Sequence, residues 1–500
     1  MIRASAQSTS HLDPQSSAAG EARKATMNPS PDPSTSWITP PTPGRERLSG
    51  TGAAIVTADR VLTGRRDPRG GEAGLEALTD PLHGVGILLL DATIAAVGPV
   101  PELEAAAPAG APPTRVDLPG STLMPGLIET HAHLATSGTD VEYPDYGPQE
   151  IARLSLNAAR SARELLSVGV TSVQSLGARH YVDVALRDAI AQGELRGPRV
   201  RASGPQITTT GGHSWHAGSE VDGPDSIRRS VREHHKRGVD TIKVMATGGF
   251  TTDASVPWNA QFTTEEIALI VTEAHRLGHL CAAHAHGTQG IERAVAAGVD
   301  YLAHASFVSA LGRTELDAAL ADRIAQAGIY VDCTITADIP AMVARDDSFA
   351  PPVRALWERG VRIVAGHDAG IPQVANRAYV GGLEAMEAMG LPRHEVILAA
   401  TSRAAAAIGL AGVAGVLAPG YDADLIAVAG DPRTDLAALR DLRLVATRGR
   451  EFIPDAVPGL QRRRWPAPGQ DPDHALDPGP AGILAAHRAG VERAATHPDV

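Results

Sequence analysis

Histidine, lysine and aspartate recur in this chain at the ends of short apolar runs. His131 and His133, in E-T-H-A-H-L, lie two residues apart. On an extended strand both imidazoles point the same way, and two imidazoles on one face can chelate one metal ion. A single H-x-H is a weak signal, because two solvated histidines at a strand end read the same way. Lys243 interrupts the apolar run T-I-K-V-M. A buried ammonium loses its proton easily, and a neutral lysine amine can take up carbon dioxide as a carbamate whose two oxygens bridge two cations. A lysine paired with a core carboxylate is the plainer alternative. His284 and His286, in C-A-A-H-A-H-G, again share a face; His304 follows in Y-L-A-H-A-S, and Asp368 in V-A-G-H-D-A-G. Each alone could be a hydrogen-bonded core residue or a loop cap. Five of the strand ends, in chain order, each offer a metal-ligand type, and that set is much harder to assign to chance.

The elements that must position these residues are legible as pattern. Between about residues 121 and 412, eight short β-rich runs alternate with helical patterns such as E-E-I-A-L-I-V-T-E-A-H-R. The runs are S-T-L-M-P-G-L-I-E-T-H-A-H, V-T-S-V-Q-S-L-G, R-V-R-A-S-G-P-Q, T-I-K-V-M-A-T-G-G, L-C-A-A-H-A-H-G, D-Y-L-A-H-A-S, I-Y-V-D-C-T-I-T and R-I-V-A-G-H-D-A-G. Strands separated by helices imply parallel βαβ units. Eight in succession predict an α/β fold, a (β/α)8 TIM barrel, whose active site lies at the C-terminal strand ends. A doubly wound open sheet would give similar local signals. The flanking segments 49–120 and 413–453 read as short strands that pair into one small β-sandwich domain. Residues 1–48, rich in Ser, Pro and Thr, read as a disordered tail. Residues 454–500 read as a Pro-rich tail with one short helix near residues 481–494.

Composition narrows the function classes. The formal charge is −12 and aromatics are 3%, which argues against a nucleic-acid partner. Two cysteines are too few for a disulfide framework and fit a reducing, cytoplasmic setting. They read as small core residues. The N-terminus has no apolar signal region. The apolar stretch from Ala404 to Pro419 is broken by glycines, so no membrane span is expected.

With these residues in place, the chain from Ala53 to Phe452 resembles the amidohydrolase superfamily, in its imidazolonepropionase-like and Xaa-Pro dipeptidase branch. The resemblance rests on M-P-G-L-I-E-T-H-A-H, G-V-T-S-V, T-T-G-G-H, I-K-V-M-A-T-G-G, H-A-H-G, A-H-A-S, G-H-D-A-G and G-V-L-A-P-G-Y-D-A-D-L-I-A-V. It implies two divalent cations, zinc or else manganese or cobalt. His131 and His133 would hold the more buried one, and His284 and His304 the second. Carbamylated Lys243 would bridge them. Asp368 would bind the first cation and act as general acid/base. A hydroxide held between the cations would attack an amide carbonyl, and Asp368 would pass its proton to the leaving nitrogen. The substrate would be a small molecule, a dipeptide of Xaa-Pro type or an N-acyl amino acid. His286 and His213 would face it, although a loop histidine such as His213 could also be solvated at the rim. Relatives commonly assemble, so a homo-oligomer is expected.

Two positions depart from the pattern. Gln174 and Ser175 stand where relatives often carry an Arg-Asp pair, and His367 precedes Asp368 where a threonine is usual; His367 reads as packing behind the strand. His216, His234 and His235 read as loop or helix-surface residues. A mononuclear cyclic-amide hydrolase or deaminase is the alternative function. Such relatives generally lack the bridging lysine and carry an acid three residues after the fifth-strand histidine, where this chain has Gly287. A catalytically silent scaffold is the third reading, and known silent relatives lose the ligands that this chain keeps.

Overall fold

The computed structural model describes residues 46–64, 85–110, 112–136, 138, 147–253 and 255–455. Of the expected tails at 1–48 and 454–500, residues 1–45 and 456–500, with the helix near 481–494, lie outside the described residues, and Asp455 pairs with Arg163 at 2.5 Å. Residues 46–48, expected in the N-terminal tail, are part of the folded unit: Leu48 is buried and Arg47 pairs with Glu451 at 2.5 Å.

Eight parallel strands carry the candidate residues. In chain order they are Leu127–Ala132, Val170–Ser175, Arg199–Arg201, Thr241–Met245, Leu280–Gly287, Tyr301–Val308, Tyr330–Asp332 and Arg362–Ile363. They are called the first to eighth strands below. The first three pair in one sheet and the fourth to eighth in another. Backbone hydrogen bonds link the two sheets. Asp240 N and Thr241 N donate to Ala202 O at 2.7 and 3.2 Å, on the side of the third and fourth strands. Thr130 N donates to Ala365 O at 3.0 Å, and Ala369 N to His131 O at 3.1 Å, joining the eighth segment to the first.

The crossover helices follow from their sequences. Helix Thr264–Arg276 starts at a capping box, Thr263 with Glu266, which satisfies two otherwise unpaired backbone donors. Helix Glu150–Ser167 buries Leu154, Ala158, Ala162 and Leu165, spaced three and four apart, so one face turns to the strands. A large apolar cluster fills the space between helices and strands, from Leu127 and Val173 to Ile291 and Leu356.

A seven-stranded sheet draws on both flanking segments. Its order is Arg450–Glu451, Leu442–Thr447, Leu425–Ala429, Thr114–Pro125, Ala53–Val61, Val85–Leu90 and Thr93–Pro99. It has its own buried core, including Val56, Ile87, Leu123, Leu425 and Leu444. The run Ser121–His133, which reads as one strand, is two. Thr114–Pro125 belongs to this sheet and pairs antiparallel with Leu425–Ala429, while Leu127–Ala132 begins the parallel set. The change falls at Gly126, where an added Cβ would lie 2.0 Å from Thr171 Oγ1. The Ala404–Pro419 stretch forms helix Ser402–Ala407 followed by turns. No helix of the described residues is long and apolar enough to cross a membrane.

Candidate metal centre

The strand ends bring two groups of ligand atoms together. One is His131, His133 and Asp368; the other is His284, His286 and His304; within each, one ligand atom per residue lies within 4.8 Å of the others. The groups adjoin, with the rings of His131 and His304 5.3 Å apart. All six side chains are buried or nearly so. His304 and Asp368 lie in the left-handed backbone region, at φ 71° and 58°. Non-glycine residues hold that conformation where the surroundings enforce it, often at functional sites.

The hydrogen bonds of the first group decide where its protons sit. His131 Nδ1 faces Asp332 Oδ2 at 3.2 Å, and His133 Nδ1 faces the Gly177 carbonyl at 3.3 Å. Both partners only accept, so in the neutral rings each Nδ1 carries the proton and each Nε2 a lone pair. Those two Nε2 atoms lie 3.2 and 3.0 Å from the same oxygen, Asp368 Oδ1. Neutral rings would bring two lone pairs onto one carboxylate oxygen; a proton on either ring or a bound cation would relieve that repulsion, and an N2O donor set suits a borderline divalent ion. In the second group His284 Nε2 donates to Gly248 O at 3.0 Å, which leaves its Nδ1 lone pair facing His304 Nε2 at 2.8 Å. The residues present therefore fit a metal centre.

Lys243 stands on the fourth strand with its side chain fully buried, and its Nζ makes no hydrogen bond among the described residues. Burial pushes its amine down to about 8. Its charge is felt by His284, His286, His304 and Asp368, members of both groups. The core carboxylate that the plainer reading requires makes no ion pair with it in the described structure. Burial also holds His286 down to about 3, and His284 and His304 well below the usual imidazole range. These rings stay neutral, as metal ligands must. For Asp368, burial favours the protonated form, but the neighbouring His131 and His133 and the Lys243 charge outweigh it. Its carboxyl is held below the usual range.

His213 is buried, not solvated at the rim. Its ring lies 4.6 Å from that of His284, and burial pushes it down to about 4. The short strand Ile207–Thr208, which pairs with the fourth strand through Val244, carries the loop inward. His286 Nδ1 contacts Ser306 Oγ at 2.9 Å. Phe250 stands edge-on to His286, 4.8 Å between centroids, and to Phe349, 5.4 Å.

Several residues escape a strand-end reading of the sequence. Asp332 is fully buried at the end of the seventh strand. Glu129 is fully buried in the first; its Oε1 accepts from the amides of His131 and His367 at 2.8 and 3.0 Å, and its Oε2 from His367 Nδ1 at 2.8 Å. His367 thus packs behind the eighth strand, against Glu129 and edge-on to Tyr379 at 4.7 Å. The available signal was an acid inside an apolar run, L-I-E-T and I-Y-V-D-C. Gln174 fills the place of an ion pair with two neutral bonds, donating to Thr130 O at 3.0 Å and accepting from Thr241 Oγ1 at 3.2 Å. His234 is not a helix-surface residue: it is fully buried, its ring nitrogens 2.7 and 2.6 Å from the carbonyls of Ser230 and Pro205. The helix turns it inward, beneath the Tyr181 ring. Cys281 and Cys333 are free and buried, as expected.

This fold and these clustered imidazoles and carboxylate define a metal-dependent hydrolase of the TIM-barrel type. The chain belongs to the amidohydrolase family, whose profile matches residues 122–451. It is 31% identical over 369 residues to the ochratoxinase of Aspergillus niger, covering 65% of this chain and 73% of that one. It is 26% identical over 449 residues to the imidazolonepropionase of Symbiobacterium thermophilum, covering 82% and 98%. Among solved structures, a Xaa-Pro dipeptidase with methionine bound in its active site superposes with a TM-score of 0.68 at 27% identity, covering 80% of this chain and all of that one.

Proposed function

We propose that this protein is a binuclear amidohydrolase that cleaves the C–N bond of a dipeptide of Xaa-Pro type or an N-acyl amino acid. The observation that carries the reading is Lys243: a buried amine, without a hydrogen-bond partner, whose field reaches both ligand groups. Its nitrogen would attack the carbon of carbon dioxide and lose a proton, giving a carbamate with two oxygens. His131, His133 and Asp368 would hold one cation and His284 and His304 the other, with the Lys243 carbamate shared between them. Zinc suits this set, with manganese or cobalt as alternatives. Bound there, two divalent cations would polarise the scissile carbonyl and lower the pKa of the attacking water toward about 7.

The chain's own groups would do the rest. Asp368, held ionised, would accept the proton of the attacking water and release it to the leaving nitrogen. His286 and His213, neutral and buried, would orient the substrate's polar groups. Phe250 and Phe349 give the site an aromatic wall beside His286, which favours an apolar side chain or acyl group there. In this reading the eight parallel strands form one closed (β/α)8 barrel, and the seven-stranded sheet is the flanking β-domain.

The likeness to a solved Xaa-Pro dipeptidase supports the dipeptide class. A panel of Xaa-Pro dipeptides, aliphatic and aromatic N-acyl amino acids and a cyclic imidazolone tests it. We expect a free amino acid to be released from the open-chain amides, fastest where an apolar group flanks the bond. Opening of the cyclic amide alone would overturn the reading in favour of a mononuclear enzyme.

A further inference from the structure

We propose that Asp332 is a positioning residue for both halves of the centre: its one carboxylate fixes which nitrogen of His131 and which nitrogen of His304 is left free to bind a cation. The inference rests on the binuclear reading above. Four donors converge on this fully buried group. Oδ2 accepts from His131 Nδ1 at 3.2 Å and from the Tyr301 hydroxyl at 2.7 Å. Oδ1 accepts from Thr334 N at 2.9 Å and Thr334 Oγ1 at 2.6 Å.

The direction of the last bond determines the rest. A carboxylate only accepts, so the single hydroxyl proton of Thr334 is committed to Asp332. Thr334 Oγ1 also lies 2.8 Å from His304 Nδ1. With its proton spent, that oxygen can only accept, so His304 must carry its proton on Nδ1 and a lone pair on Nε2. The same carboxylate fixes the Nδ1 proton of His131 directly. One ring from each group is thereby held with Nε2 bare and aimed into the centre. Metal-bound histidines depend on such partners on the other nitrogen.

Thr334 supplies an independent observation. Its φ is 50°, and a β-branched residue in the left-handed region is a genuine outlier. That backbone places both its amide and its hydroxyl on the same Asp332 oxygen. Strain of this kind persists where surrounding structure enforces it. Asp332 ends the seventh strand, which contributes no member of either ligand group.

The test uses full-length protein labelled with 15N-histidine, with zinc affinity measured by competition against a chelator. Asp332→Asn is expected to weaken retention of both zinc ions by roughly 10–100-fold. Thr334→Val, which removes only the hydroxyl, should weaken one ion by that factor and spare the other. Thr334→Ser should restore it. In metal-free protein, the imidazole 15N shifts should place the proton of His131 and His304 on Nδ1, with His304 alone changing in Thr334→Val. Folded Thr334→Val with unchanged zinc retention and an unchanged His304 signal would overturn the proposal, and this variant decides the matter if Asp332→Asn does not fold. If the unaltered protein binds no divalent cation, the binuclear reading fails, while the tautomer signals still decide the assignment to Asp332.

Discussion

Asp332, Glu129 and His367 show how much of this site is made by residues that are not ligands. Glu129 is a fully buried carboxylate held by two backbone amides and one imidazole. Removing the imidazole leaves Oε1 with its two amides but takes the His367 partner from the buried Oε2, and a buried acceptor left unpaired is costly. His367→Phe should therefore destabilise the fold by about 1–3 kcal/mol, read as a shift of the urea unfolding midpoint. His367→Gln, which keeps an N–H donor, should lose markedly less. Equal midpoints for His367→Phe and the unaltered chain would show that His367 only fills space. The ligand types at the strand ends were legible in the sequence, because each sits in a short apolar run where polar atoms need a reason. Which acid would meet which histidine was not, since Asp332 and His131 lie 201 residues apart in the chain, and Glu129 and His367 lie 238 apart.

At the scale of elements, alternation of apolar runs and helical periods gave the eight strands named above, since burial on both faces leaves a nearly continuous apolar signature, but not the two-residue parallel strands Ile207–Thr208 and Ser219–Glu220. It missed the break inside Ser121–His133. Both halves of that run are apolar, and only the identity of the neighbouring strand tells one sheet from the other. The chain passes between them at Gly126, whose missing side chain leaves room for Thr171 on the second strand. Gly126→Ala would place a methyl group 2.0 Å from the Thr171 hydroxyl oxygen and 2.2 Å from its methyl. We expect a loss of about 1–3 kcal/mol from overpacking, measured by thermal unfolding. Gly98→Ala is the control: its nearest neighbour, Glu102 Oε2, would be 3.8 Å away, so its stability should be nearly unchanged. Similar behaviour of the two variants would mean that the passage at residue 126 is not a tight one. His234 was misread for a related reason. A histidine in the polar run R-E-H-H-K looks exposed, and only the docked helix shows which of the two adjacent rings turns inward.

Over the whole molecule, the flanking sheet and the parallel strands are tied by ionic contacts as well as by chain. Arg199 of the third strand pairs with Asp422 and, at 3.2 Å, with the buried Asp424, just before the strand Leu425–Ala429. The motif G-Y-D-A-D-L thus has a physical role in joining the two parts. Family membership, fold and clustered ligands converge on metal-dependent hydrolysis, and in the proposed mechanism Lys243 joins two cations into one centre. Counting metals tests it most directly. Protein purified with zinc and bicarbonate, unaltered and as Lys243→Ala, would be assayed for zinc per chain and for hydrolysis of an N-acyl amino acid. The unaltered chain is expected to hold close to two zinc ions and to be active, with both reduced in Lys243→Ala. One ion or none in the unaltered chain, with Lys243→Ala indistinguishable from it, would rule out a Lys243-bridged pair of cations and make Lys243 an ordinary core residue.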